Sequence, residues 1–256
     1  MYRESFVLCK NVMRYFIFAL GVQMAAEYFA DRGLDGYLVI ATTIAPFLSL
    51  SLMAYVTYTE SLELVGRERT IAFSRVVGFA VRDLGIGVLI FVPFVLAVSI
   101  VFAIAGVYGN IDEIYMLSVF VGTVAAAIAY VVCYSLIGTI LPAYMARRQL
   151  GLAAAFKRGK ATFWGTAPLM LAGPAFLSIV SFGLYFSALA LSAGEFPTSD
   201  TGIEFITAEG RPNIPVCLLF LMYNAITVFT VIMAVWVLSR TYLSSVGEPN
   251  LVTVFE

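Results

Sequence analysis

The chain has 256 residues and a formal net charge of −1; 61% of it is hydrophobic, only 12% is charged, and its mean hydropathy is +0.95. Soluble domains carry about a quarter charged residues, so this composition excludes a water-wetted globule, and the lack of a basic excess excludes a nucleic-acid partner. Histidine is absent, which removes the commonest metal ligand and the usual acid–base residue near neutral pH, so neither metal nor cofactor is expected.

Several apolar runs reach the roughly 20 residues that cross a hydrocarbon core of about 30 Å. The first, residues 11–30 (NVMRYFIFALGVQMAAEYFA), has a short apolar core and holds Gln23 and Glu27. It reads as a span, with a helix lying in the membrane interface as the rival. Arg14, Gln23 and Glu27 around this run, and the lack of a small-residue cleavage site, argue against a cleaved leader. Five more runs read as spans: 37–58, 86–106, 115–141, 164–192 and 215–238. The two longest exceed what a perpendicular helix needs, so tilt or extension past the bilayer is expected. The expected fold is all-α: one integral membrane domain, a polytopic transmembrane bundle of about six spans.

Charge sets the orientation. Residues 1–14, 59–85, 142–163 and 239–256 hold 13 of the 15 Lys and Arg, as three, four, five and one. The opposite loops, 31–36, 107–114 and 193–214, hold only Arg32 and Arg211, with eight acids. Positive charge in short loops marks the cytoplasmic side, so both termini are expected there, in a bacterial inner membrane, and 11–30 must cross for the alternation to work.

Two of the cytoplasmic connections read as amphipathic elbow helices in the headgroup plane. In ELVGRERTIAFSRVVGFAVRD, Arg67, Ser74, Gly78 and Arg82 share one face, with Ala72, Phe73, Val76 and Val77 on the other. In ARRQLGLAAAFKRGKATFW, Leu152, Ala155, Phe156 and Phe163 oppose a basic face, and Phe163 and Trp164 mark a turn into the bilayer. AFSR at 72–75 and AFKR at 155–158 lie 83 residues apart, each followed by a proline (Pro93, Pro174), which hints at a duplication of 37–106 in 115–192. Loop 193–214 contains turn residues and IEFITA, a short strand or amphipathic turn.

Each candidate site has a plain alternative. Glu27 is an acid in a candidate span, hence a proton or substrate site, or else a boundary residue that reaches water. Asn224 is a bonding group between helices or part of a transport path. Pro168 and Pro174 kink the span 164–192, either for packing or to line a ligand path. Arg147, Arg148, Lys157, Arg158 and Lys160, with Trp164, form a basic cluster that docks anionic phospholipids or a membrane partner, or only fixes topology. Cys9, Cys133 and Cys217 lack CxxC spacing and read as apolar packing residues. No Walker loop, GxSxG or HExxH is present, so no enzyme is expected.

The stretch GTILPAYMARRQLGLAAAFKRGKATFWGTAPLMLAGP resembles YciC-like six-span bacterial inner-membrane proteins and the membrane domain fused to some glycerophosphodiester phosphodiesterases. The resemblance rests on Pro142, Ala154 to Phe156, Lys157, Arg158, Phe163 and Trp164, over about 40 residues. No phosphodiesterase domain follows and no catalytic residue is carried over. The expected function is a non-enzymatic scaffold, assembly or accessory subunit that contacts the lipid bilayer and other membrane proteins or itself. The runner-up is a carrier or channel for a small or lipid-like molecule.

Overall fold

At Val12 the backbone turns to φ −104°, ψ 15°, ending α1 (Tyr2–Asn11) and setting α2 (Met13–Ala30) at 88° to it. The chain is described by a computed structural model over residues 1–30, 36–62, 73–105, 111–147, 151–193, 205, 211 and 213–246. The remaining helices are α3 (Gly36–Ser61), α4 (Phe73–Ala105), α5 (Ile111–Ile137), α6 (Ile140–Met145), α7 (Leu152–Met170), α8 (Phe176–Ala193) and α9 (Ile214–Val246). A π turn, Leu171–Ala175, joins α7 to α8. Among the described residues there is no strand. The runs Phe73–Ile104, Leu117–Met145, Leu152–Ser192 and Ile214–Val246 are long and apolar enough to cross a membrane, and the bent pair α1–α2 adds a fifth. This is an all-helical membrane protein.

The N-terminal helix is where the structure departs first from expectation. The sequence suggests one helix over 11–30; the chain instead makes a short amphipathic α1 and a separate α2. α1 buries Ser5, Leu8 and Cys9 while exposing Phe6 and Val7.

The two elbows are also differently built. Residues 73–83 are the first turns of α4, and 152–163 those of α7, each running unbroken into the apolar part; Trp164 marks no turn. Residues 63–72, with Arg67 and Ala72, lie outside the described residues. So do Arg148 and nearly all of the loop 193–214, including most of IEFITA. The prolines of the suggested duplication differ in setting, Pro93 in continuous α-helix and Pro174 in the π turn.

α9 is the axis of the molecule. Its apolar sequence has no polar stripe, and from Val228 to Leu243 nearly every side chain is buried against α1, α2, α3, α6 and α7. Two buried hydroxyl pairs fasten it: Ser61 to Ser239 at 2.6 Å and Thr166 to Thr241 at 3.0 Å. Between helices in lipid each such bond contributes about 0.6 kcal/mol. α7 meets α5 through Gly159, which lies directly on the backbone of Leu136. Where a kink was expected the helix makes its π turn: buried Gly173 lies close to Met1 and Met233, and the Tyr2 hydroxyl donates to the Ala172 carbonyl at 2.7 Å.

Just past α6 and its C-cap Ala146, Arg147 has a φ of 54°, the left-handed conformation that glycine adopts freely, with its N–H bonded to the Tyr144 carbonyl at 3.2 Å. Arg147→Gly is therefore expected to stabilise the protein by about 1 kcal/mol, read as a higher thermal unfolding midpoint in detergent. A lower midpoint would mean that the guanidinium contributes more than the backbone strain costs.

Candidate functional site

α4 and α5 pack along their lengths, with Gly122 of α5 set against Phe94 and Val98 of α4. α3 and α9 are tied by Ser61 and Ser239. The two pairs are bridged by Phe79 of α4, which is fully buried and stands edge-on to Tyr55 and Tyr58 at 6.0 and 5.6 Å. Next to this bridge the helices separate and leave a cavity of about 240 Å³.

Its walls are mainly apolar: Phe47, Leu50 and Ala54 from α3, and Val231, Val235 and Leu238 from α9. Its polar groups divide by position. Ser178, Thr227 and Thr230 lie toward one end, and exposed Ser178 marks an edge open to the outside of the bundle. Tyr58, Asp83, Tyr130 and Tyr134 gather near the other. Tyr58 lies three helical turns from Phe47, a rise of roughly 16 Å, so the cavity is elongated.

The acid and the tyrosines form one cluster. The Tyr134 hydroxyl donates to Asp83 Oδ1 at 2.9 Å, and Tyr130 leans on Tyr134 with ring centroids 4.7 Å apart. Asp83 is half-buried, and among the described residues no Lys or Arg pairs with it. Its neighbour Arg82 turns away, donating to the Gly78 carbonyl at 2.6 Å and lying 4.2 Å from the Tyr144 ring. Tyr58 belongs to the cavity wall, and its buried hydroxyl has no hydrogen-bond partner among the described residues. The chamber thus combines an acid near one end with an apolar length along α3 and α9.

The residues singled out in the sequence lie elsewhere. Glu27 is half-buried near the far end of α2, and Asn224 is buried beyond the cavity, its amide donating back to the Phe220 carbonyl of its own helix at 3.0 Å. Pro168 borders a shallow apolar groove with Tyr2, and Pro174 is buried in the π turn, where its carbonyl accepts the Ser178 hydroxyl at 2.9 Å. None of the four lines the cavity.

The basic cluster divides too. Arg147, Lys157, Lys160 and Trp164 are exposed, Trp164 the most so. Arg158 departs from the expected basic face. It is 8% exposed and turned inward, 5.6 Å from the Tyr242 ring, because the close approach at Gly159 points the small face Ala155–Gly159 at the bundle and takes Arg158 with it. Leu152 and Phe156, expected on the apolar face turned to the bilayer, are exposed on the outside of the bundle, whereas Ala155 of the same expected face is buried.

Sequence reasoning missed Asp83, Tyr58, Tyr130 and Tyr134. Asp83 falls just before the apolar run 86–106, next to Arg82, where it reads as one more charge of an amphipathic connection. The usable signal is the i, i+4 pair Tyr130–Tyr134, which puts two phenols on one helical face near the end of a span.

An all-helical membrane protein with a lateral, acid-tipped cavity is thus the class that the fold and site define. No family model, no curated protein and no solved structure matches the chain.

Proposed function

We propose that this protein is a non-enzymatic membrane protein that binds and carries a small amphiphilic molecule in the cavity between α3, α4, α5 and α9. The observation behind this reading is the 240 Å³ chamber with apolar walls and a polar cluster near one end. That volume is below the usual range for drug-sized ligands, which favours a small guest. We further infer six crossings with both termini cytoplasmic, in a bacterial inner membrane. The division of Lys and Arg, 13 against two, supports this, as does α3 covering the remaining apolar run. The resemblance to YciC-like proteins is in keeping with six spans and with the lack of a catalytic motif.

A second reading, a scaffold or accessory subunit, is favoured by α4. Only 6% of its most apolar stretch is buried, and it offers a long apolar face to lipid or to another membrane protein. In that reading exposed Arg147, Lys157, Lys160 and Trp164 would hold anionic headgroups beside it.

Filling the chamber separates the two. Ala54→Phe and Ala234→Phe place a ring in the cavity from its α3 and α9 walls. The wild type, screened in nanodiscs against small amphiphiles, is expected to gain several degrees in unfolding midpoint with at least one of them, and the filled variants none. Equal shifts in all three proteins, or no shift in any, would return the protein to the scaffold reading.

A further inference from the structure

We propose that the guest of this cavity is an organic cation: a compact alkyl- or arylammonium whose charged head meets Asp83 among the rings of Tyr58, Phe79, Tyr130 and Tyr134. The inference rests on the carrier reading and names its ligand class.

Three observations support it. Asp83 borders a largely apolar chamber, and among the described residues no Lys or Arg neutralises it; the adjacent Arg82 is held by the Gly78 carbonyl and the Tyr144 ring instead. A carboxylate in such a place is costly unless a positive charge joins it. Aromatic faces beside that carboxylate are the surface that favours ammonium groups over neutral ones. Tyr58, 1% exposed and with a buried hydroxyl that has no partner among the described residues, belongs to the wall of the same cavity.

Size and wall chemistry narrow the class. A volume of 240 Å³ corresponds to about eight waters of liquid, or a guest of roughly ten non-hydrogen atoms. A bare metal ion would leave the apolar length along Phe47, Leu50 and Val231 unfilled. A phospholipid is too large to enter whole, and its phosphate would face Asp83 with like charge.

The test uses the full chain in nanodiscs of zwitterionic lipid, with empty nanodiscs subtracted, at neutral pH. The probes are 2-phenylethylammonium and its neutral isostere 2-phenylethanol, titrated by calorimetry. The ammonium is expected to bind the wild type at least tenfold more tightly than the alcohol. Asp83→Asn, which keeps an acceptor for Tyr134, should erase that preference. Ala54→Phe should abolish binding of both. Equal binding of the two probes, unaltered by Asp83→Asn, would overturn the cation inference and leave the carrier reading standing. Ammonium binding that survives Ala54→Phe would place the cation elsewhere and also overturn it. Binding of neither probe, together with no stabilisation by any amphiphile in the wider screen, would overturn both readings.

Discussion

Gly159→Val should leave almost no monodisperse protein after purification. A Cβ at 159 would sit 2.7 Å from Leu136 Cα and closer still to the Leu136 carbonyl, and that neighbour is backbone, unable to rotate aside. Overpacking of a core usually costs about 1–3 kcal/mol, and a clash with backbone belongs at or beyond the top of that range. The effect should spread, because moving α7 off α5 also pulls Thr166 from Thr241 and shifts Arg158 from Tyr242. Gly165→Ala is the control: it lies on the same helix with open space around it, and alanine there should be neutral or stabilising by up to about 1 kcal/mol. Size-exclusion profiles of the two variants in one detergent decide the matter. Similar profiles would mean that α5 and α7 are not held as close as Gly159 and Leu136 indicate.

Phe79→Ala is the second large effect. In a water-soluble core such a truncation costs about 3–5 kcal/mol, part of it from transfer to water and part from the cavity left behind. A helix that separates within lipid stays in an apolar solvent, so the transfer part largely vanishes and about 2 kcal/mol of packing remains. The loss should be felt chiefly between α4 and α3, since Phe79 bridges them through Tyr55 and Tyr58. Phe91→Ala, on the exposed side of the same helix, should cost little. Thermal unfolding of both variants checks this, and a Phe91→Ala loss matching that of Phe79→Ala would mean that α4 has a second, unseen partner.

How much of this was legible in the sequence varies with the kind of signal. Span positions follow from runs of apolar residues, a property of single residues summed over a window, and α3, α4, α5 with α6, α7 with α8, and α9 coincide with the five clear runs. The bend at Val12 was not legible, because nothing in NVMRYF breaks a helix; α1 turns away where its own Leu8 and Cys9 find α9 and α3. The inward turn of Arg158 was not legible either. Charge alone puts Arg158 on the outer, basic face, whereas helices in lipid meet through small residues, and Ala155 and Gly159 chose the face. Phe73, Val77 and Phe156 are exposed on the outside of the bundle, where lipid can cover them. The cavity needs four helices brought together, and no window along the chain joins Tyr58 to Asp83 and Tyr134.

The central place of α9 has a consequence for how the molecule is made. The helix that α1, α2, α3 and α7 all rest against is the last of the described helices to leave the ribosome. Until it inserts, Ser61 and Thr166 wait in the bilayer without their α9 partners, and α1 has no α9 surface to settle on. Assembly therefore cannot be completed helix by helix during synthesis. The earlier segments must persist as separate helices in lipid and close around α9 in a final step.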